Sequence, residues 1–400
     1  MKKNIGIVVD NDFYNDIRVT NQAKILAEKY NVFVLCFEFK TTVSGRIDPS
    51  STNLDINVSK IKIHKKIKNI LFGIQNTIPI YDYFWAYHIQ KFVKKNSLIS
   101  IHVHDLFLSK AGCIAKKKTN AKMILDLHEN YPVAVLNYKW TQHFLKQILA
   151  KPHLWAKKEE KLLSYPDLLI VLSEYYKKKL QDNYSFLFNQ NIMVFPNVPD
   201  ITTMNSYPIH KNIIDKKNKF IVFYFGIIST RRGIDLLINA IKSLLPKYPD
   251  IFLLLIGPVD KAETFLFTKY FQETFIKHID WIDISLFPSY MNISDICINP
   301  IIKDEQTESG IANKVIQYAL FGKPIIVSDC KPQAEFVKEN QCGLVFSAEN
   351  DVDLVEKIEF LINNPKLCRD FGENGLNAVK NKYNIDSIKN RLFERYDAFH

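Results

Sequence analysis

Two arginines stand where an apolar strand gives way to a helical pattern. The run Phe220–Phe225 is followed by Gly226, and Arg231-Arg232-Gly233 comes just before the next helix-like segment. A helix N-terminus presents free backbone N–H groups to an anion, and guanidinium groups form forked contacts with phosphate oxygens. These residues suit a phosphate group, although an ordinary turn beside a surface arginine pair would contain the same residue types.

A second turn with similar chemistry lies further along the chain. The small residues Ser309-Gly310 precede a helix that we predict to start near Ala312, so its N–H groups suit a second phosphate. Asn313 and Gln317 are four residues apart and therefore share a helix face. The side-chain amide of Gln317 can hydrogen-bond a ribose hydroxyl. This second set favours the phosphate-binding interpretation of the first.

Both turns must be positioned by a scaffold of alternating strands and helices. The apolar runs are continuous rather than alternating, which is typical of parallel sheets covered on both faces. We therefore predict an α/β protein with two doubly wound, Rossmann-like domains. The predicted strands are Asn4–Val9, Asn31–Phe37, Ile99–Val103, Lys122–Leu125, Leu168–Leu172, Ile192–Phe195, Phe220–Phe225, Phe252–Ile256, Ile296–Asn299, Pro324–Val327 and Gly343–Phe346. The predicted helices include Val19–Lys29, Tyr83–Lys95, Ser109–Lys117, Thr141–Leu163, Gly233–Leu245, Asn313–Phe321, Gln333–Glu339, Val352–Asn363 and Pro365–Lys382.

A polar stretch, Pro199–Lys219, interrupts this alternation and indicates a linker. We predict an N-terminal domain over 1–200, a linker over 201–218 and a C-terminal domain over 219–384. The remaining helix-like segment, 385–400, is expected to pack back on the first domain. Ligands of such folds bind at the carboxyl ends of the strands, so a central cleft faced by both domains is the expected site.

The quoted motifs resemble those of glycosyltransferase family 4, whose members have the GT-B fold. Arg232-Gly233 matches one family pattern, and the segment from Ala312 to Pro324 (ANKVIQYALFGKP) matches another. In the first half, the resemblance extends to Asn15–Val19 and to Asp126–Pro132 (DLHENYP). It covers nearly the whole chain and implies a retaining, metal-independent transferase of the bacterial polysaccharide or glycolipid type.

The resemblance also implies roles for individual residues. His128, facing the donor sugar, and Arg232 would be catalytic. Asp16, Arg18 and Glu129 would lie on the acceptor side. The implied donor-binding residues are Gly226, Arg231, Arg232, Glu308, Ser309, Gly310, Ile311, Asn313 and Gln317.

Three positions depart from the family pattern. Gln317 replaces the glutamate that holds the ribose hydroxyls in many members. Ser309, with Glu308 beside it, stands where many members carry another glutamate, and Ile227 stands where some have arginine. These departures leave open a weakly active relative.

No metal site and no cofactor are predicted. Asp10-Asn-Asp12 and Asp351-Val-Asp353 match the D-x-D pattern of metal-dependent transferases, but the first ends a strand of the N-terminal domain and the second starts a helix. His102 and His104 alternate along a strand end without further ligands nearby in the sequence. The six cysteines show no C-x-x-C spacing and are expected to be buried thiols.

The charge distribution points to an anionic partner for the first half. The net charge is +11, and residues 1–210 carry all of it. A basic domain suits a phosphorylated acceptor or an anionic membrane surface. No RNA- or DNA-reading motif occurs, so nucleic acid is not an expected partner. No apolar run is long enough to span a bilayer, and we expect a cytoplasmic protein, peripheral at the inner face of the membrane.

Together these observations predict a glycosyltransferase that moves a hexosyl or related sugar from a nucleotide-diphosphate-sugar to a glycan or lipid-linked acceptor in cell-surface polysaccharide synthesis. Three alternatives remain open at this point. They are a GT-B sugar-nucleotide epimerase, a non-catalytic nucleotide-sugar-binding subunit, and a basic nucleic-acid-binding protein.

Overall fold

The computed structural model describes residues 2–39, 56–138, 141, 144–211, 213–216 and 218–398. Its contacts divide the chain into two compact units. Unit 1 comprises Met1–Pro196 together with Ile388–His400, and unit 2 comprises Asn197–Ser387. The domain boundaries expected from the sequence stay predictions, because a division by contacts does not test which segments fold on their own.

Unit 1 is built on a seven-stranded parallel sheet with the order β3-β2-β1-β4-β5-β6-β7. Its strands are β1 (Asn4–Val8), β2 (Asn31–Phe39), β3 (Ile56–Ile63), β4 (Ser100–His104), β5 (Lys122–Asp126), β6 (Leu168–Val171) and β7 (Ile192–Val194). Its helices are α1 (Ile17–Lys29), α2 (Lys65–Gly73), α3 (Ile80–Asn96), α4 (Ser109–Thr119), α5 (Tyr131–Asn137), α6 (Phe144–Ala150), α7 (Leu154–Leu163) and α8 (Glu174–Asn183).

Unit 2 contains a six-stranded parallel sheet with the order β10-β9-β8-β11-β12-β13. The strands are β8 (Phe220–Phe225), β9 (Ile251–Ile256), β10 (Ile276–Ile279), β11 (Ile296–Asn299), β12 (Ile325–Ser328) and β13 (Gly343–Phe346). The helices are α9 (Ile201–Ser206), α10 (Ile234–Leu244), α11 (Thr264–Tyr270), α12 (Phe287–Ile293), α13 (Asn313–Leu320), α14 (Lys331–Glu339), α15 (Asp351–Ile362) and α16 (Pro365–Asn381). A last helix, α17 (Ile385–Asp397), ends the described chain.

Strand β8 shows why these runs are apolar throughout. Val222 and Tyr224 belong to one buried cluster of unit 2, whereas Ile221 and Phe223 belong to another. Successive side chains of a strand point to opposite faces, so the sheet of unit 2 is covered by packed side chains on both faces. The continuous apolar pattern is the direct consequence of that double burial.

Several elements differ from the sequence expectation, including the helices α2, α5, α8, α9, α11 and α12, which were not predicted. The predicted helix Thr141–Leu163 is two helices, α6 and α7, because Pro152 cannot continue a helix and Lys151 before it has a φ of 42°. Strand β3 was not among the predicted strands, yet it pairs with β2 over its whole length. Strand β10 was not predicted, since a four-residue strand containing Lys277 and His278 resembles a polar turn.

Helix α17 packs on unit 1 through one apolar face. Ile388, Leu392 and Tyr396 recur at four-residue spacing and are buried. The Tyr396 hydroxyl lies 2.7 Å from Nδ1 of His102 on β4, and Tyr30 donates a hydrogen bond to Asp397. The C-terminal segment therefore closes over the sheet of unit 1. No helix in the described ranges combines the length and apolarity required to cross a bilayer.

We expect Leu392→Ala to destabilise unit 1, because it removes most of a fully buried side chain and leaves a cavity in its place. Such truncations cost about 2–5 kcal/mol. Amide hydrogen exchange should accelerate in β1, β4 and β5, while β8 and β11 of unit 2 keep their protection. Leu266→Ala is the matched control, since Leu266 is 39% exposed. Equal exchange in the two variants would contradict a packing role for α17.

Candidate functional site

Gly226, the residue after β8, makes room for a lysine. Its φ is 132°, a conformation that favours glycine, and a Cβ built there would lie 2.6 Å from Nζ of Lys314. The sequence singled out Gly226 for a tight turn. The structure adds that the absent side chain lets an ammonium group approach the end of β8.

The two neighbouring arginines have different surroundings. They lie in a short 3-10 helix, Thr230–Arg232, that ends at Gly233 before α10. Arg231 is exposed and its Nη2 contacts Asp304 Oδ2 at 2.9 Å. The guanidinium of Arg232 is half-buried and has no hydrogen bond or ion pair within the parts of the chain that the structure describes. Arg232 is therefore the arginine left with an unsatisfied charge.

Lys314 is a functional candidate that sequence reasoning missed. It is the second residue of α13, and its Nζ donates a hydrogen bond of 2.7 Å to the Tyr224 hydroxyl. Burial, and then the charge of Arg232, lower the pKa of Lys314 well below the usual lysine range. Its position next to Asn313 in the quoted motif was the available signal, but the sequence does not reveal that its ammonium group turns toward β8.

The remaining predicted donor residues lie in or near the loop before α13. The Ser309 side chain is buried and donates to the Gln306 carbonyl at 2.7 Å. No side chain caps the N-terminus of α13, so its first N–H groups keep their capacity for an anion. The other predicted members differ in exposure: Asn313 is exposed, whereas Glu308, Gly310, Ile311 and Gln317 are half-buried. Their assignment to a donor stays a prediction.

In unit 1, a buried ion pair organises the ends of the central strands. Arg18 donates from Nε to Asp126 Oδ2 at 2.9 Å and from Nη2 to Oδ1 at 2.7 Å. Its Nη1 donates to the Phe195 carbonyl at 2.8 Å. Although burial opposes ionisation of Asp126, Arg18 and the neighbouring histidines hold the pKa of that carboxyl well below its usual range. This places Arg18 in a positioning role toward β5, and its predicted contact with an acceptor is untested.

His128 lies among carboxylates at the same edge of the sheet. Its Nε2 is 2.8 Å from His104 Nδ1 and 3.7 Å from Asp126 Oδ2. Its Nδ1 is 3.6 Å from Asp16 Oδ2 and 3.8 Å from Asp105 Oδ1. The structure therefore brings two predicted residues, His128 and Asp16, to one place. The predicted Glu129 is near the cluster and accepts a hydrogen bond from Tyr138.

The ionisation states in this cluster follow from burial. Burial lowers the pKa of His128 to about 4, against the attraction of Asp126 and with the help of His104. Burial, together with Glu129, Asp16 and other carboxylates, raises the pKa of Asp105 well above its usual range. A neutral imidazole therefore stands beside a carboxyl group that holds its proton unusually well. Such a pair can donate and accept hydrogen bonds and can move a proton.

His104 and Asp105 are further candidates that sequence reasoning did not select. Asp105 has a φ of 73°, which is uncommon for a residue with a side chain and marks a backbone held by its surroundings. The signal in the sequence was the set of polar residues His102, His104 and Asp105 at the end of an apolar strand. It was read only as a pair of histidines lacking other metal ligands.

His102, His104 and Asp126 are close enough to one another to hold a metal ion. The donor set disfavours one, because Arg18 and Gln22 already bond both oxygens of Asp126. A cation there would face the guanidinium of Arg18. The three residues fit the ion pair of Asp126 with Arg18 better than a metal centre.

A cavity of about 370 Å³ opens in unit 1 beside this cluster. Asp10, Asp16 and Asp105 line it together with Lys68 and several aromatic rings. Carboxylates accept hydrogen bonds from hydroxyl groups, and aromatic faces pack against apolar ring faces. The cavity is therefore chemically suited to a molecule rich in hydroxyl groups.

Comparison with known proteins shows a family match within unit 2. Residues 207–378 match the model of the family described as glycosyl transferases group 1. This part of the chain is a group 1 glycosyltransferase domain. The match lies within Asn197–Ser387 and includes the Gly226, Arg232 and Lys314 region.

Relatives and a solved structure agree with that assignment. An uncharacterized glycosyltransferase of Methanocaldococcus jannaschii is 24% identical over 297 residues, which are 72% of this chain and 73% of that protein. The capsular polysaccharide biosynthesis glycosyltransferase CapM of Staphylococcus aureus is 26% identical over 196 residues, 48% of either chain. The structure of Anabaena HepE in complex with UDP is similar with a TM-score of 0.72 at 15% identity, covering 99% of this chain and 100% of HepE.

These findings confirm the predicted fold class, α/β with two Rossmann-like units of the kind found in GT-B glycosyltransferases. They also support glycosyltransferase activity for the chain. The finer assignments to family 4 and to a retaining reaction stay predictions, as do the roles of individual residues.

We expect His128 to remain neutral from pH 8 down to about pH 5, because its pKa in the folded protein is about 4. The unfolded chain binds a proton near pH 6.5. Between these values the unfolded state therefore binds more protons, so stability falls as the pH falls from about 6.5 toward 4. Urea unfolding at several pH values should show this loss, and it should be smaller in His128→Gln. An NMR titration that places the His128 midpoint near 6.5 would contradict the prediction.

Proposed function

We propose that this protein is a retaining glycosyltransferase that works without a metal ion. It transfers a hexosyl or related sugar from a nucleotide-diphosphate-sugar to a hydroxyl group of a glycan or a lipid-linked acceptor, in the synthesis of cell-surface polysaccharide. The observation that carries the proposal is Arg232, whose guanidinium has no hydrogen bond or ion pair among the described residues and which lies in the segment that matches the group 1 glycosyltransferase model. HepE, whose structure contains UDP, and CapM, a capsular polysaccharide enzyme, support the donor and the pathway class.

Unit 2 binds the donor in this proposal. Arg232 contacts the diphosphate, and Arg231 is a weaker helper because Asp304 already neutralises it. The uncapped N–H groups of α13, preceded by Glu308–Ile311, receive a phosphate oxygen. Gln317, one turn after Asn313 on the same face, hydrogen-bonds the ribose with one acceptor oxygen and one NH₂ donor.

The chemistry requires stabilisation of a leaving diphosphate. Negative charge develops on it as the bond to the sugar breaks, and preorganised cations and N–H dipoles lower the free energy of that state. Arg232 and the N-terminus of α13 supply this stabilisation without a metal ion. The acceptor hydroxyl attacks on the face that the diphosphate leaves, so the configuration of the sugar is retained. The acceptor proton passes to an oxygen of the leaving diphosphate.

Unit 1 supplies the acceptor side. The carboxyl groups of Asp16 and Asp105 line the cavity beside His128, where a hydroxyl-rich acceptor can bind. The neutral imidazole of His128 can form a hydrogen bond with a sugar hydroxyl. Arg18 holds Asp126 and thereby the end of β5 that carries His128. Glu129, next in the chain, completes the acceptor-side set.

The first test is a screen for the donor. UDP, GDP, ADP, CDP and TDP and their common sugars are compared by thermal shift, since a ligand at 100 times its Kd stabilises by about 2.7 kcal/mol. We expect Arg232→Ala to weaken the best nucleoside diphosphate about tenfold to a hundredfold, because it removes a charge-assisted contact. Arg231→Ala is the matched control and should change the Kd by less than about threefold, as for an exposed ion pair.

Product analysis then tests the reaction itself. Transfer to a synthetic glycan or lipid-diphosphate acceptor, with the anomeric configuration read by NMR, should show retention in the presence of EDTA. Inversion, or a requirement for an added metal ion, would contradict those parts of the proposal. Equal binding by wild type and Arg232→Ala would contradict the assigned donor site.

A peripheral membrane location is the second part of the proposal, and α2 supports it. None of its side chains is fully buried, and Ile67 and Ile70 are 54% and 63% exposed. Lys65 and Lys66 are exposed on the same short helix. An amphipathic helix with exposed apolar residues and lysines is typical of binding to anionic lipid surfaces. We therefore assign the inner, anionic face of a membrane as the partner of α2.

We expect the protein to sediment with vesicles of phosphatidylglycerol and phosphatidylcholine, and to bind less as salt rises to physiological strength. The double variant Ile67→Asn, Ile70→Asn should lose most of this binding, because the apolar contacts disappear. Phe265→Ala is the control, since Phe265 is 92% exposed but lies in unit 2, outside α2. Equal binding to neutral and anionic vesicles would contradict the assignment.

A further inference from the structure

Lys314 and Arg232 form a pair of neighbouring basic groups that share no acidic partner among the described residues. Lys314 hydrogen-bonds the Tyr224 hydroxyl at 2.7 Å, and its Nζ lies 3.9 Å from the Tyr224 ring centroid. Within the described residues, no carboxylate contacts Lys314 or Arg232. The two are close enough for the charge of Arg232 to disfavour the ammonium form of Lys314. Two like charges in a partly buried place repel each other unless an anion joins them.

The surrounding residues hold Lys314 in this arrangement. The Tyr224 hydroxyl donates to the Ile227 carbonyl at 2.9 Å, so its lone pairs are left to accept from Lys314. At Gly226, any Cβ would meet the Nζ of Lys314 at 2.6 Å. The absence of a side chain at Gly226 and the fixed hydroxyl of Tyr224 thus direct the lysine toward the end of β8.

Lys323, another lysine of unit 2, differs from Lys314 in its hydrogen-bond partners. Lys323 is also partly buried, and its pKa is also lowered by burial. Its Nζ, however, donates to the Ser294 carbonyl at 2.7 Å and to the Asn292 carbonyl at 3.4 Å. Lys323 thus caps backbone oxygens, a structural role. Lys314 has a single hydroxyl partner and keeps donor capacity, since an ammonium group carries three N–H donors.

We propose that Lys314 binds the donor diphosphate together with Arg232, and that Tyr224 and Gly226 position it for this contact. The inference rests on the proposed nucleotide-diphosphate donor and adds a binding residue to it. The diphosphate supplies the missing negative charge between the two cations. As charge develops on the diphosphate during sugar transfer, both cations stabilise it.

A change in protonation accompanies this contact. Without an anion, burial and Arg232 favour the neutral amine of Lys314, and a bound diphosphate favours the ammonium form. Binding therefore takes up a proton, and affinity falls as the pH rises. The other ionisable groups described around Lys314 are Tyr224 on β8 and Arg232 in the loop. Neither changes its charge at pH 8, because burial raises the pKa of Tyr224 and arginine stays protonated.

The test uses calorimetry on the full chain with UDP, GDP, ADP, CDP and TDP and with the nucleoside of the tightest binder. We expect Lys314→Met to weaken the diphosphate about tenfold to a hundredfold and to leave the nucleoside within about twofold. Tyr224→Phe, which removes the positioning hydroxyl but keeps the ring, should weaken the diphosphate about twofold to tenfold. Lys323→Met is the matched control and should bind like wild type.

A second measurement covers the case in which Lys314→Met does not fold. Titrations of wild type at pH 8 in HEPES and in Tris, which differ in ionisation enthalpy, report the protons taken up on binding. Net uptake supports the proposal, and its absence overturns it. Diphosphate binding by a folded Lys314→Met equal to wild type also overturns it, yet leaves the transferase proposal intact. If wild type binds none of the five diphosphates, both proposals fail.

Discussion

Both units depend on the parallel direction of their strands. Because all strands of a sheet run the same way, their carboxyl ends and the loops that follow lie at one edge. In unit 1 this edge gathers the ends of β1, β4 and β5, and with them Asp16, His104 and His128. In unit 2 it gathers the ends of β8 and β11, followed by Arg232 and by the loop before α13.

The charged groups at the two edges differ in whether they have a partner of opposite charge. In unit 1, Arg18 neutralises Asp126 within a buried, bidentate pair, and the neighbouring histidines stay neutral. In unit 2, Arg232 and Lys314 have no carboxylate partner among the described residues. A buried charge that is already paired positions its surroundings, whereas an unpaired one favours a ligand of opposite charge. This contrast underlies the proposal that the anionic donor binds to unit 2 and that unit 1 provides polar hydroxyl chemistry.

The same contrast explains why neighbouring residues of one motif differ in role. Arg231 and Arg232 are adjacent in the sequence, yet only Arg231 reaches Asp304. Asn313 is exposed, while Lys314 turns toward Tyr224. Adjacent positions on a helical turn point in directions about 100° apart, so a one-residue step changes the partner completely. Motif membership therefore indicates the region of a site, and the local turn assigns the function of each side chain.

The sequence by itself determined the fold class and most of its elements. The runs at β1, β8 and β11 are continuously apolar because both faces of a parallel sheet are buried. This requirement applies to the residues of each strand separately, so it can be recognised in a short stretch of sequence. The sequence also identified the regions around Gly226 and Ser309-Gly310 through small residues next to helix starts.

Only the tertiary structure decided which polar side chains are partners. The partners Arg18 and Asp126 are 108 residues apart, and Tyr224 and Lys314 are 90 apart. Pairing at such separations depends on the order of strands in a sheet, which no local pattern encodes.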